Sequence, residues 1–454
     1  MKRAAILACV LLSAACSGTA QTYHDAAYLV GGYESPSPSS RIVPGTWVVR
    51  GDGSASTVAL HGGYSWGFSM DLDNRHVVVT SGSNFSAVKN PPMYGLYRFD
   101  PNTLAYTTIY GPDTVNCYSM YKLLINQDGD YIFNNWTRTW TGSTCTRNYQ
   151  LMKVTQGGTL STLFTTVALG RQAKLNGTIE TNIDTGNILV SELNFQGPNF
   201  FPVLEVASDG RTVNSWNSSA YGWYGYYSMP QDYRTGYLYG PHDDHVYLLR
   251  PGPASRSTLF TLSTKMHFNC SFDLQSAPTQ RWVNTPYTSS PVSSWISCID
   301  TRGIETSIKV NIPGKQVAWY DFDFYRGSHL RTMLTTPNRW NILLSCPRSP
   351  KLSYGIAAGY SGIRPGIKLA DGRTVLLNYD VLVFLTLHGL LPGIWNGGPG
   401  TLDASGNATA SMNLTSLSRP PGGFGIPIWI AMVVIDPRSP GGIKYIPDPI
   451  VFRL

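Results

Sequence analysis

The stretch YRFDPNTLAYTTI, from Tyr97 to Ile109, decides the fold. Apolar and polar residues alternate up to a turn at Asp100 and Asn102, and a second alternating run follows that turn. The pattern is that of two short antiparallel strands. Related stretches recur at steps of about 44 to 54 residues, and this spacing predicts one four-stranded antiparallel sheet per unit. The units lie near Val48, Tyr97, Leu151, Val203, Tyr247 and Ile296.

A second element, which also consists of strand, polar turn and strand, precedes these units. We interpret this second element as the two inner strands of each sheet. The recurring unit described above then supplies the two outer strands. The segment up to Leu60 offers outer strands only, while VAWYDFDFY from Val317 offers an inner one. The two parts would then share one sheet and close a ring. The clearest inner pairs are FSMDLDNRHVVVT, YKLLINQDGDYIFN, TIETNIDTGNILVS and YSMPQDYRTGYLYG.

These patterns predict an all-β fold that contains a β-propeller, with six blades favoured and seven as the alternative. The architecture resembles six-bladed propellers of the NHL and streptogramin-lyase-like class over about two thirds of the chain. Propellers host both binding proteins and enzymes, so the resemblance implies a fold and no activity. The calcium ligands of gluconolactonase-like propellers and the catalytic His and Glu of streptogramin lyases match no positions here. No cofactor is therefore assigned.

The repeating strand pattern ends at Gly327. After it, longer apolar runs alternate with Gly- and Pro-rich turns. Such runs predict the strands of a C-terminal β-sandwich. The segment resembles the C-terminal β-sandwich modules of secreted proteins from planctomycetes and other environmental bacteria, which implies export. We predict a signal peptide over 1–20, a propeller over 21–327 and a sandwich over 328–454. The apolar runs are NRWNILLSC, TVLLNYDVLVFLTL, NATASMNLTSL and PIWIAMVVID.

Charge is concentrated in the C-terminal segment. Only 13% of the residues are charged, which is typical of secreted β-proteins. From Ser328 to Leu454 there are 11 Lys or Arg and 5 Asp, a net +6 out of +7 for the whole chain. A positive surface suits an anionic glycan, a lipid head group or nucleic acid, but a soluble basic domain needs no such partner. We expect no nucleic-acid partner.

The N-terminus has the features of an export signal. Lys2 and Arg3 precede a short apolar run, and small residues follow it. Cleavage after Ala20 is favoured. The alternative is a lipobox that ends at Cys16 and leaves a lipid anchor on that cysteine. No later segment is long and apolar enough to span a membrane, so the sequence predicts a secreted or cell-surface protein, extracellular or periplasmic.

Five cysteines remain after such a cleavage. Cys117 and Cys145 are 28 residues apart, as are Cys270 and Cys298, and disulfides are plausible in an exported chain. We predict a Cys117–Cys145 bond, with Cys145 in a loop. Cys270 and Cys298 are a second candidate pair, but Cys298 is expected two strands from Cys270 and a disulfide permits a Cα separation of only roughly 7 Å, so the pairing of those two stays open. Cys346 is then either a buried thiol or a reactive one.

The densest polar cluster is His242, Asp243, Asp244 and His245. His242, Asp244 and His245 could hold a metal or supply an acid–base pair, but the same residues suit a turn between strands. Nucleophile-elbow, HExxH, P-loop and Rossmann motifs are lacking. Whether the protein is an enzyme is left open.

A candidate ligand site lies where the inner strands begin, at one mouth of the central channel. Aromatic and amide side chains are frequent there. The aromatic rings could simply pack between the blades, but together with the amides they suit sugar rings or other flat, weakly charged ligands. The sequence therefore favours a surface binding protein for a glycan or another cell-surface component. The alternatives are a lyase or hydrolase acting in the funnel and a structural envelope component. The candidates are Tyr64, Trp66, Asn116, Tyr118, Asn176, Trp223, Tyr224, Tyr226, His267, Asn269, Trp319 and Asp321.

Overall fold

The structure, a computed structural model, describes parts of the chain between residues 27 and 454. For some strands it describes the backbone alone. The described residues are 27–35, 43–50, 55–60, 67–71, 76–81, 94–100, 103, 105–113, 120–166, 175, 177, 179–191, 203–216, 231–242, 245–250, 255–261, 266–273, 281–286, 295–300, 305–309, 316–325, 329–416 and 425–454.

Up to Tyr325, the described strands form six antiparallel sheets. The first contains β23 (Gln316–Tyr325), β1 (Ala27–Ser35), β2 (Val43–Arg50) and β3 (Ala55–Leu60). The second contains β4 (Phe68–Met70), β5 (Val77–Ser81), β6 (Gly95–Phe99) and β7 (Tyr106–Tyr110). The third contains β8 (Met120–Ile125), β9 (Tyr131–Thr141), β10 (Thr144–Val154) and β11 (Leu160–Thr165).

The remaining three sheets follow the same order along the chain. The fourth contains β12 (Ile179–Thr181), β13 (Ile188–Ser191), β14 (Val203–Val206) and β15 (Thr212–Trp216). The fifth has three named strands, β16 (Leu238–His242), β17 (His245–Arg250) and β18 (Ser255–Thr261). The sixth contains β19 (Met266–Asp273), β20 (Arg281–Pro286), β21 (Trp295–Asp300) and β22 (Glu305–Lys309).

The predicted strand pairs are confirmed by the register. Tyr97 faces Thr108 across β6 and β7, so the stretch that decides the fold is an outer hairpin. The other five units are likewise the two outer strands of a sheet. The predicted closure is confirmed too, because β23 pairs with β1 along its whole length. Six described sheets agree with six recurrences, and the blade number of the complete ring stays a prediction.

The sheets form a closed ring through their inner strands. Strand β23 contacts β4, β4 contacts β8, and β8 contacts β12. Strand β16 contacts β19, which contacts β23 again. The link between the fourth and fifth sheets is Gln231, which pairs with Leu238 and whose Oε1 accepts the Ile183 N–H at 2.8 Å. Because the contacts return to the first sheet, this part of the chain is a β-propeller.

The propeller has two distinct faces. Neighbouring strands are antiparallel, so the turns between first and second strands lie on one face, which we call the lower face. It carries residues 126–130, 182–187 and 232–237 and, at the corresponding point of the second sheet, Asp71 and His76. The first strands begin on the opposite, upper face, where the hairpins between second and third strands also lie. β23 ends at the lower face, so the chain leaves the ring there.

Residues 328–454, which we call the C-terminal module, form two larger sheets. One contains β24 (His329–Thr336), β25 (Arg339–Ser345), β31 (Asn407–Asn413) and β29 (Trp395–Asn396). The other contains β30 (Gly400–Thr401), β26 (Ser353–Gly359), β32 (Pro427–Ile435), β33 (Ile443–Tyr445) and β34 (Ile450–Arg453). A short hairpin of β27 (Ile367–Lys368) and β28 (Thr374–Val375) and a 3₁₀ turn (Pro440–Gly442) complete it.

Both sheets of the module bury side chains in one core. Trp340 and Ile342 of the first sheet lie in the same cluster as Ile356, Ile430 and Phe452 of the second. The Trp340 and Phe452 rings stack with centroids 4.8 Å apart. The two sheets thus share one core, and the sandwich arrangement itself stays a prediction.

One prediction for the module is wrong. The run TVLLNYDVLVFLTL was expected to be a strand, but it contains the helix α1 (Val381–Leu387). Asp380 caps this helix, because its Oδ1 accepts the Val383 N–H at 2.9 Å. A short apolar run does not distinguish a strand from a helix, and the aspartate that decides the matter was not recognised as a cap.

Replacing Asp380 with alanine is expected to destabilise the module by about 1 kcal/mol at neutral pH. Burial alone would raise the pKa of Asp380, but the N–H groups of Val383, Ser361 and Tyr360 outweigh it and hold the pKa below its ordinary value. A depressed folded-state pKa stabilises the fold above the unfolded-state pKa, and the contribution is lost as pH falls through the folded-state pKa.

Denaturant unfolding from neutral pH to below the unfolded-state pKa of about 4 checks this expectation. The difference between wild type and D380A should shrink as the pH falls. In D380N the cap survives without its charge, so most of the neutral stability should remain while this pH dependence disappears. Identical pH profiles for all three proteins would contradict the assignment.

Candidate functional site

The lower face is built from turns that hold their own backbone. Asn182 Oδ1 accepts the Asp184 N–H at 3.1 Å, and Asp232 Oδ1 accepts the Arg234 N–H at 2.9 Å. The turn at 126–130 is closed in the same way. These are Asx turns, for which Asn and Asp are suited, so their polar side chains are used locally.

A buried glutamate supports the turn of the fourth sheet. Glu205 is 4% exposed, and its Oε1 accepts hydrogen bonds from Asn182 Nδ2 at 3.1 Å and Asn187 Nδ2 at 2.8 Å. The Thr185 hydroxyl donates to the same oxygen. Three donors on one oxygen satisfy the buried carboxylate, so Glu205 has a structural role in this turn.

The adjacent turn of the fifth sheet is held similarly. Asp232 accepts a hydrogen bond from the Tyr239 hydroxyl at 3.0 Å and another from the Thr235 hydroxyl at 2.8 Å. Burial, and then the charge of Asp232, raises the pKa of Tyr239 well above its ordinary value. The tyrosine therefore stays protonated and acts as a hydrogen-bond donor at all physiological pH values.

The C-terminal module docks on these turns through polar contacts with the backbone. Trp429 Nε1 donates to the Ile183 carbonyl at 2.6 Å. Arg364 Nη1 donates to the Tyr233 carbonyl at 2.9 Å, and the same guanidinium forms an ion pair with Asp184. Side chains of the module thus contact two neighbouring turns of the ring.

Further contacts extend this interface. Arg453 Nε donates to the Thr185 carbonyl, and the Leu334 N–H donates to the Asp128 carbonyl at 3.2 Å. Met333 and Leu343 pack against the core of the second and third sheets. The module therefore covers the lower face over the third, fourth and fifth sheets at least.

A small cleft lies beside this interface. It contains charged side chains, but Arg373 is already held by Asp371, with Nε 2.7 Å from Oδ2. Lys444 Nζ donates to the Arg348 carbonyl at 3.0 Å. These cations are therefore occupied within the protein. The cleft is lined by Arg234, Arg373, Thr374, Leu376, Lys444, Tyr445, Ile446, Pro447, Asp448 and Pro449.

The described residues contain no group of three or more His, Cys, Asp and Glu side chains that could hold a metal ion. The buried carboxylates Glu205 and Asp232 are bound by donors of their own turns. Chemistry at either of these two carboxylates would require breaking these contacts.

None of the twelve sequence-predicted ligand residues has a described side chain. They fall into two sets. The first set, of eight residues, lies outside the described residues; for the second set, of four residues, the structure describes only the backbone. His267 and Asn269 lie in the first half of β19, whereas Trp319 and Asp321 lie inside β23, opposite Gly32 and Gly31. The first set is Tyr64, Trp66, Asn116, Tyr118, Asn176, Trp223, Tyr224 and Tyr226; the second is His267, Asn269, Trp319 and Asp321.

The histidine cluster is a hairpin between β16 and β17. His242 and His245 face each other across the two strands, and Asp243 and Asp244 lie outside the described residues. The His245 ring stacks on Tyr247 with centroids 5.7 Å apart. As the hairpin joins second and third strands, it lies on the upper face.

The cysteine predictions have different outcomes. Cys145 is a strand residue, the second of β10, and not a loop residue as expected; Cys117 lies outside the described residues. Cys270 and Cys298 are in β19 and β21 with β20 between them. Two strand spacings separate the two cysteines by about 10 Å. This exceeds the Cα–Cα distance of roughly 7 Å that a disulfide permits.

Cys346 is a buried thiol, as one of the two interpretations predicted. It has no exposed surface, and it is not part of a disulfide. Burial raises the pKa of the thiol to about 12, so the reactive thiolate is scarce. The interpretation as a reactive thiol is therefore disfavoured.

The docking residues Trp429, Arg364 and Arg453 were not recognised from the sequence. Each belongs to a strand or turn that looks ordinary, and its partner lies more than 100 residues away in the chain. Only the Asn and Asp turns of the lower face were recognisable in the sequence. Their patterns do not indicate that another part of the chain packs on them.

Comparisons with known proteins show no family for this chain. No family profile and no curated protein match the sequence. Among solved structures, the nidogen/laminin complex is 14% identical over 66% of this chain and 98% of that chain, with a TM-score of 0.45. A putative gluconolactonase is 15% identical over 68% and 96%, with a TM-score of 0.35.

A third similar structure is the WD40 β-propeller domain of Doa1, 11% identical over 59% of this chain and 92% of that chain, with a TM-score of 0.31. Similarity at this level carries no argument, and the propeller assignment rests on the ring of sheets. None of the described helices is long and apolar enough to cross a membrane.

Proposed function

We propose that this is an exported binding protein that takes its ligand on the upper face of the propeller. The observation that supports this most is the position of the C-terminal module. It packs on the lower face through Trp429, Arg364 and Arg453, so backbone groups of the turns on that face are already bound by the module. A ligand of the central channel would therefore enter from the opposite side.

The ligand class we propose is a neutral glycan. Aromatic residues precede the first strands of several sheets, among them Trp66 and Trp223. Flat aromatic rings stack on sugar rings, and the amides near them in the sequence supply directional hydrogen bonds. The low charge of the chain outside the module fits an uncharged ligand.

Export and domain boundaries belong to the same proposal. The first 20 residues serve as a signal peptide, with a lipid anchor at Cys16 as the alternative, and the mature protein is secreted or retained at the cell surface. The segment 21–327 is the propeller and 328–454 the sandwich. Cys117 and Cys145 form a disulfide in the third sheet, which fits the oxidising conditions outside the cytoplasm.

The second candidate is a lyase or hydrolase that acts in the funnel. The observation in its favour is the register of β16 and β17, which sets His242 opposite His245 on the upper face. Two imidazoles at one hairpin could bind a metal or serve as acid and base. Stoichiometric zinc, calcium or magnesium in the purified protein would favour this candidate over simple binding.

Replacing Trp66 or Trp223 with alanine is expected to reduce a glycan-induced rise in melting temperature. Loss of one stacked aromatic ring weakens binding by about tenfold or more, and the thermal shift depends on the logarithm of ligand excess over Kd. The measurement is thermal unfolding of wild type and variants with a panel of neutral oligosaccharides.

Tyr360→Ala is the matched control, because Tyr360 is an aromatic residue of the module that is 50% exposed. It should keep the full glycan response. The proposal fails if both tryptophan variants keep their response, because the ligand site then lies elsewhere. Variants that unfold without ligand would instead place these tryptophans in the core.

A further inference from the structure

Buried polar residues occupy one shared position in the second strands of three neighbouring sheets. The position is counted from the lower-face turn of each sheet, which is closed by a backbone N–H that donates to the carbonyl of His76, Asp130 or Asn187. The residue four places further along lies nearer the upper face and is at most 3% exposed in each sheet. These three residues are Thr80, Asn134 and Ser191. Their polar groups therefore need partners inside the protein.

The partners are two glycines at the upper face, where the first strands begin. Gly67 directly precedes β4, and its carbonyl accepts the Thr80 hydroxyl at 3.0 Å and the Thr80 N–H at 2.8 Å. Gly177 lies just before β12, and its N–H donates to the Ser191 carbonyl at 3.3 Å. Its own carbonyl accepts Asn134 Nδ2, from the neighbouring third sheet, at 3.1 Å. The backbone of both glycines is thus held in place by buried groups.

Neither glycine has room for a side chain. A Cβ at Gly67 would lie 2.7 Å from Thr80 Oγ1 and 2.8 Å from the carbonyl carbon of Lys122, in the third sheet. A Cβ at Gly177 would overlap the Ser191 hydroxyl and lie 2.9 Å from the Ser191 carbonyl oxygen. Glycine is needed at both positions because two stretches of backbone approach closely. The start of each first strand is therefore fixed against its neighbours.

Each glycine follows a residue that the sequence predicts to bind ligand. Trp66 precedes Gly67, and Asn176 precedes Gly177. Consecutive Cα atoms are about 3.8 Å apart across a trans peptide, so a fixed glycine restricts where the main chain before it can run. A binding residue that is held in place before the ligand arrives loses less conformational freedom on binding, which strengthens binding.

We propose that Gly67 and Gly177 are positioning residues of the upper-face ligand site. They act through the backbone: each holds the chain so that the residue before it, Trp66 or Asn176, meets the sugar. The third sheet takes part in both contacts, through Lys122 at Gly67 and through Asn134 at Gly177, so it sets the spacing between the two ligand residues. This inference rests on the proposed function, because it requires a glycan at the upper face.

The test is calorimetric titration of the full chain with cellohexaose, maltohexaose and chitohexaose, below the melting temperature of every variant. G67A and G177A should each raise the Kd of the sugar that binds wild type most tightly by about five- to tenfold, since a displaced ring or amide loses its contact. G210A is the matched control. A Cβ at Gly210 would overlap the Leu163 carbonyl, but this glycine lies in the turn between β14 and β15, away from the upper face. G210A should lower the melting temperature and keep the wild-type Kd.

A milder pair of variants decides the matter if an alanine variant does not fold. T80V keeps the shape of the side chain and removes only the hydroxyl that donates to Gly67, and it should raise the Kd by about threefold. T166V is its control, because Thr166 is 2% exposed and its hydroxyl also donates to a backbone carbonyl, that of Tyr149, at 3.2 Å. T166V should lose similar stability and bind like wild type.

The outcomes separate this inference from the proposed function. If W66A weakens binding while G67A, G177A and T80V bind as tightly as their controls, the positioning role is overturned and the ligand face stands. If G210A and T166V weaken binding as much as the other variants, the effect is one of general stability and the role is likewise overturned. Unchanged binding by both W66A and W223A, or no binding of any of the three sugars to wild type, would overturn the proposed function and this inference together.

Discussion

Replacing Trp429 with alanine is expected to lower the free energy of unfolding by about 3 to 5 kcal/mol. The indole is 6% exposed and lies in a cluster with Ile183, Ala431 and Val451. Its Nε1 also satisfies the Ile183 carbonyl at 2.6 Å. Truncation therefore leaves a cavity at the contact between module and propeller and a buried carbonyl without its donor.

Denaturant unfolding measures this loss, and Trp429→Phe separates its two causes. Phenylalanine keeps most of the volume and removes only the donor, so W429F should lose about 1 to 2 kcal/mol. Calorimetry adds a second measurement. Weaker docking should broaden or split the unfolding transition of W429A, because the module and the ring would no longer unfold together. If W429A loses no more than W429F, the indole does not fill the interface as described.

The second large effect is expected at Asp71, which joins the second and third sheets. Its carboxylate is fully buried, and its Oδ1 accepts the Tyr131 hydroxyl at 2.9 Å. Arg98 forms an ion pair with the same carboxylate. Burial, followed by the charge of Asp71, raises the pKa of Tyr131 well above its ordinary value. The tyrosine thus remains a donor to a buried anion, which makes the carboxylate costly to remove.

Asp71→Ala should destabilise the protein by about 3 kcal/mol, because it leaves Tyr131 and the inner part of Arg98 without their acceptor. The matched control is Asp209→Ala. Asp209 also pairs with an arginine, Arg211, but both side chains are more than half exposed. Such a surface pair contributes about 0 to 1 kcal/mol. Equal losses in the two variants, measured by urea unfolding, would show that the Asp71 network is not buried in solution.

The propeller could be predicted because its signals are local. Each outer hairpin is a strand, a turn and a strand within about fifteen residues of sequence, as Tyr97 to Ile109 illustrates. Even the closure of the ring could be predicted from the sequence, because the segment after Val317 has the pattern of an inner strand without outer partners. The register confirms that it pairs with β1.

The helix α1 and the docking of the module were not predicted, for two different reasons. The run from Val381 is apolar except for Thr386, so its periodicity does not distinguish a helix from a strand, and the deciding signal is a single capping aspartate. The docking depends on pairs such as Trp429 and Ile183, which are 246 residues apart. No local pattern encodes such a contact, because it depends on how two completed folds meet.

The candidate ligand site was predicted from residues that precede the first strands, and its side chains lie largely beyond the described residues. The turns of the lower face were recognisable as turns from their Asn and Asp residues. Their supporting partners Glu205 and Gln231 were not singled out, because a glutamate in an outer strand and a glutamine near a turn look like surface residues. Their burial follows from the neighbouring sheets.

Hydrogen–deuterium exchange tests the proposed ligand face most directly. The experiment compares the protein alone with the protein bound to the oligosaccharide that raises its melting temperature most. Binding on the upper face predicts slower exchange at the hairpin 238–250 and in the peptides that lead into β4 and β8. It predicts no change at the lower-face turns 126–130, 182–187 and 232–237. Protection confined to those turns, or to the C-terminal module, would contradict the upper face as the ligand site.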